Sequence, residues 1–174
     1  QAFIIYTLAR ADQQWVMSRA VELYGQRQTM SLYARAYLAQ TIFEINPGDP
    51  RIQTLISDFT NAAIMSATGT HWEEDWHDYW NWNTDIRTTA IILGAMTKIA
   101  PDNTLNVNAV RWLMTNRTAG HWPTTQETAW SLMALANWVE TTGELDANYQ
   151  YSVYLNQEHL QSGVANEETL GETF

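Results

Sequence analysis

At 174 residues the chain can bury one sizeable core and part of a second, and its 45% hydrophobic and 16% charged side chains exclude a disordered tail. The net charge of −10 is lopsided: residues 118–174 hold eight acids and no Lys or Arg, which excludes a phosphate backbone or an anionic membrane surface as partner. No apolar run reaches 18 residues, so direct membrane insertion is not expected, and the lack of cysteine removes disulfides, thiolate metal sites and Cys nucleophiles.

In chain order, residues 2–10 and 14–25 predict a helical hairpin. The first helix has Phe3, Ile4, Tyr6, Thr7 and Leu8 as its apolar and small positions, and no cap. A chain that opens inside a helix without Met reads as a piece of a larger protein. A third helix is expected over Ser31–Glu44, with Leu32, Ala36, Ala39 and Phe43 near a 3.6 period. In NPGDP, residues 46–50, Gly48 is the stop, Asp49 an N-cap and Pro50 a first-turn residue. The next helix, Arg51–Met65, carries Ile52, Leu55, Ile56, Phe59 and Ala63 on one stripe and is expected to end at Gly69. An aromatic loop over residues 70–82 separates it from helices at Thr84–Ile99, Asn106–Arg117 and Thr125–Thr141, the last closed by Gly143. Beyond Asp146 the period becomes two: Tyr149, Tyr151, Val153 and Leu155 alternate with other residues, which predicts a strand and, through NQEHLQSG, a hairpin.

An internal repeat organises the helical part. Thr89-Ala90-x-x-Leu93-x-Ala95-Met96 matches Thr128-Ala129-x-x-Leu132-x-Ala134-Leu135, with an echo at Ala36-x-x-Ala39-x-Thr41-Ile42. Each strong copy follows a tryptophan loop, Trp80-Asn81-Trp82 in one and His121-Trp122 in the other. The expected fold is mainly α: a partial α/α toroid of helical hairpins over residues 1–146, then a β segment of an adjoining domain over 147–174. An α-solenoid is the alternative.

Thr124-x-x-Glu127 is a capping box preceded by Pro123, and Asn83-Thr84-Asp85 is expected to repeat the device. The competing reading makes Asp85 and Glu127 an acid–base pair on carbohydrate. His71, Glu74 and His77 are spaced for a metal, yet no helix is evident to converge them, and no metal or cofactor is expected. The indoles of HWEEDWHDYWNW predict a loop pinned over helix ends, with a carbohydrate platform or partner surface as alternatives. RWLMTNRTAGHW shares a Trp-Leu then Gly-x-Trp skeleton with terpenoid cyclases, but the Asp-x-Asp-Asp acids of that family, and the Cys of prenyltransferase zinc sites, are missing from the chain.

HWEED…YWNWNTDIRTTAIILGAM followed by VRWLMTNRTAGHWPTTQETAWSLMALANW resembles the later half of the thioester domain of bacterial alpha-2-macroglobulins, strongly over residues 71–140. The residues that carry the likeness are Trp72, Trp80, Trp82, Thr84, Asp85, Thr89, Trp112, Trp122, Thr124, Thr125, Gln126, Glu127 and Thr128. The resemblance implies part of a broad-spectrum protease inhibitor that is periplasmic, cell-surface or secreted. Its partners would be proteases, through the full-length parent, and neighbouring CUB-like or macroglobulin β domains. In that family a Cys-x-Glu-Gln thioester acylates the attacker; the motif has no counterpart in this chain. None of His71, His77, His121 and His159 falls at the position of the histidine that assists acyl transfer in complement relatives. The segment is therefore expected to be non-catalytic.

Overall fold

A computed structural model describes residues 1–76, 78–143 and 148–166. The first helices form where local chemistry permits. α1 (Ala2–Arg10) and α2 (Val16–Gly25) start without a side-chain cap, whereas α4 (Pro50–Ala62) starts on Asp49, whose carboxylate accepts from the Arg51 amide at 3.0 Å. α3 (Leu32–Ile45) ends at Asn46 and not at Gly48, because the Asn46 side chain takes the Gly48 amide in an Asx turn. α5 (Asp85–Ile99) and α6 (Thr104–Thr115) are capped by Thr84 and Asn103. α7 (Thr125–Thr142) closes on Gly143 in the left-handed conformation.

One expectation along this stretch needs correction. The α4 pattern does not continue to Met65: Ala63 turns extended, and Ile64–Ser66 (β1) pairs antiparallel with Gly69–His71 (β2). Gly69 is there for space, since a Cβ would meet the Asn108 carbonyl of α6 at 2.3 Å at a φ of +130°. In α1 the buried residues are Ala2, Ile5 and Ala9, while Phe3 and Ile4 are exposed.

Among the described residues the seven α-helices divide by burial. α3 is buried without a break from Ala36 to Ile42, and α5 buries ten residues around its circumference. α4 and α7 each bury one stripe, Ile52-Leu55-Ile56-Phe59 in the first and Glu127-Ser131-Ala134-Trp138 in the second. The contacts explain this. α1, α3, α5 and α7 pack in succession, α2 lies against α1 and α3, α4 against α3, and α6 against α5 and β2. Small residues at the packed faces, among them Ala36, Ala39, Ala90, Ala95, Ser131 and Ala134, allow close approach.

The strand prediction holds for Tyr149–Leu155 (β3) and Glu158–Ala165 (β4), an antiparallel hairpin turned at Asn156 and Gln157, both left-handed. The predicted helix-to-strand boundary at Asp146 falls on residues 144–147, and the chain beyond 166 likewise lies outside the described residues.

Candidate functional site

The loop after β2 lies across the N-termini of α3, α5 and α7, and most of the residues singled out by sequence meet there. Trp72 and Trp122 hold equivalent places. The Trp72 indole N–H donates to the Phe59 carbonyl in the last turn of α4 at 2.8 Å, and that of Trp122 to Leu113 in the last turn of α6 at 3.0 Å. These are carbonyls a helix end leaves without an intrahelical partner. The hydroxyl of Thr89 accepts from the Trp72 amide at 3.1 Å, and that of Thr128 from the Trp122 amide at 3.2 Å; each also reaches back to the same tryptophan's carbonyl. Each indole is thus a clasp between the end of one helix and the start of the next odd-numbered one, and both are fully buried.

The repeat therefore pairs His71-Trp72 with His121-Trp122, not Trp80-Asn81-Trp82 with it. The separation from carbonyl to indole is thirteen residues in the first clasp and nine in the second. The extra length is the longer β1–β2 hairpin, against a single bridge between Thr118 and His121 with Ala119 and Gly120 at positive φ. The shared His-Trp dipeptide was the signal available in the sequence.

The other indoles of the loop do not cover helix ends. Trp76, Trp80 and Trp82 are 59%, 94% and 71% exposed, and Trp82 adopts a φ of 52°, strained for so bulky a residue. Only Trp72 among the four behaves as a pin. Trp112 is buried on α6 and stacks its ring on His71 at 4.5 Å.

Two acids in this loop organise the site, and neither role was legible in the sequence. Glu74 accepts from the Leu32 amide at 2.8 Å, the Tyr33 amide at 3.0 Å and the Thr88 hydroxyl at 3.3 Å. It caps α3, whose own Ser31 makes no side-chain cap. Asp78 is buried and accepts from the Tyr33 hydroxyl, the Trp80 amide and both the amide and side chain of Asn81. These bonds, the Asn81 side chain first, hold its carboxyl below the usual range, so the acid stays ionised with its lone pairs occupied. Burial raises the Tyr33 phenol, and the Arg87 guanidinium sits 4.8 Å above that ring.

The metal-spaced trio does not assemble as a donor set in the described part of the loop. His71 pairs with Glu73 at 2.9 Å, Glu74 is engaged at α3, and His77 lies outside the described residues. Among the described residues no group of three His, Asp or Glu is placed to hold a metal ion. The other two histidines bond locally, His121 to the Trp122 carbonyl and His159 to Ser162.

At the caps, Thr124 accepts from the Glu127 amide at 3.2 Å while the Glu127 carboxylate accepts from the Thr124 amide at 2.8 Å. Glu127 is buried, so its charge is committed to its own helix start. Thr84 accepts from the Arg87 amide, but with Arg at the third helical position the reciprocal bond is missing, so the device is only half repeated; Asp85 occupies the first turn of α5. Between these two helix starts lies a cleft of about 510 Å³ lined by Tyr79, Trp82, Thr84, Thr124, Thr125 and Gln126 above Asp78 and Asn83.

Fold and site define a class: serial helical hairpins seated by tryptophan clasps, with an exposed aromatic loop at the starts of α3, α5 and α7. No protein-family model matches the chain, and no curated protein does. No helix among the described residues is long and apolar enough to cross a membrane.

Proposed function

We propose that the chain is a non-catalytic segment of a bacterial alpha-2-macroglobulin-like protease trap. In this reading its helical hairpins form part of an α/α toroid, and β3–β4 belongs to an adjoining β domain of the parent. The observation that carries the proposal is the use to which the resembling residues are put. Trp72 with Thr89 ties the end of α4 to the start of α5, Trp122 with Thr128 ties the end of α6 to the start of α7, and the Thr124–Glu127 box caps α7 itself. A signature spent on seating suits a scaffold that positions a reactive group held elsewhere. The commitment of Glu127 to its own helix start weighs against an acid–base pair with Asp85.

The test uses the full parent chain containing this segment, incubated with trypsin-like and elastase-like proteases. A trap leaves the protease active on a small chromogenic peptide while blocking its access to casein, and a parent with an upstream Cys-x-Glu-Gln also gives a denaturant-resistant adduct. The isolated 174 residues should leave both activities unchanged. A parent that is simply degraded, with casein cleavage undiminished, would overturn the proposal.

A further inference from the structure

The cleft between the starts of α5 and α7 is not used by the proposed scaffold role. Its volume of about 510 Å³ lies within the range of small-ligand sites. Two aromatic faces stand at it, Tyr79 at 82% and Trp82 at 71% exposure. The surrounding side chains Thr84, Thr124, Thr125 and Gln126 are all neutral and offer hydroxyl or amide hydrogen bonds. No Lys or Arg lines it, and the one carboxylate, Asp78, is already bonded to Tyr33, Trp80 and Asn81.

The loop is held ready for contact. Asn83 is buried beneath it, accepting from the Asp78 amide and donating to the Trp76 carbonyl. The left-handed Trp82 lies between Asn81, held by the Asp78 carboxylate, and Asn83, held by the Asp78 amide and the Trp76 carbonyl. Aromatic rings exposed on a pinned loop lose little conformational freedom when something stacks on them.

We propose that this cleft binds a neutral oligosaccharide. A pyranose ring presents an apolar C–H face to an aromatic ring and hydroxyls at its edge, which is the pairing the lining offers. An acidic sugar or phosphate would find no cation in the cleft and a chain of net charge −10 around it.

The experiment titrates the 174-residue chain with cello-, xylo-, manno-, malto- and chitohexaose, read by tryptophan fluorescence and calorimetry, with hexagalacturonate as the anionic control. At least one neutral hexasaccharide should bind saturably and hexagalacturonate should not. Trp82→Ala should weaken binding about tenfold and Gln126→Ala about fivefold, while Trp82→Phe keeps most of it. Trp15→Ala, an exposed indole outside the cleft, should change nothing. Three results would overturn the proposal: no neutral hexasaccharide binding at millimolar concentration, binding that survives the Tyr79→Ala/Trp82→Ala double variant, or self-association of the chain that Trp82→Ala abolishes. The last would assign the cleft to protein contact.

Discussion

At the scale of the residue, polar groups are placed by what a helix end lacks. The first amides of α3 have no local acceptor, and Glu74 supplies one from about forty residues away. Glu74→Ala should therefore cost about 2–3 kcal/mol, because two backbone amides lose a charged acceptor, with Glu74→Gln recovering roughly half. In a chain of this length that is a fall in melting temperature of about 4–12 °C for the alanine variant. Calorimetry of the two variants checks it, and an alanine variant melting with the parent chain would remove Glu74 from the list of caps. Asp49 shows the local version of the same need. The Arg51 guanidinium, 2.7–2.8 Å from its carboxylate, holds that group below the ordinary aspartate range, so the cap persists well into mild acid.

At the scale of the element, the β1–β2 hairpin fixes how α4 leads into the aromatic loop, and its fit depends on a glycine. Gly69→Ala brings a methyl against the α6 backbone at a left-handed φ and should destabilise by about 2–4 kcal/mol. Gly94 in the middle of α5 is the contrast. A Cβ there meets nothing within 4 Å, so Gly94→Ala should be neutral or stabilise by up to about 1 kcal/mol through helix propensity. Urea unfolding of both variants tests the pair, and equal effects would mean that the close approach at Gly69 is not what the residue is for. In β4, Gly163 plays a related part beneath the Tyr151 ring, where a Cβ would sit 2.6–2.9 Å from ring atoms and the hydroxyl.

At the scale of the whole molecule, stability follows the order of packing. α3 and α5 have helices on both sides, whereas β3–β4 pairs mainly with itself and exposes residues of both strands. A two-stranded hairpin is marginal in water. Amide exchange should therefore be slowest over Ala36–Ile42 and Ile91–Met96, intermediate in α7, and fastest in Tyr149–Ala165. Hydrogen-exchange mass spectrometry reads this directly; a hairpin protected as strongly as α3 would mean that it is held by contacts beyond its own pairing.

The sequence by itself determined what lies within a few residues of its cause. Asp49-Pro50, Thr84, the Thr124–Glu127 box and Gly143 mark helix ends because caps act between positions two to four apart. The alternation from Tyr149 marks the hairpin for the same reason. Tertiary structure alone decided which tryptophans are pins. Trp72 and Trp82 both precede the Thr-Ala of α5, but only Trp72 comes within reach of the Phe59 carbonyl and the Thr89 hydroxyl. It also decided that Glu74 serves α3, that Ile64 and Met65 leave the helix, and that α3 and α5 are buried on every side. Each of these depends on a neighbour that sequence periodicity does not encode, because periodicity records which face is apolar and not what the chain later brings against it.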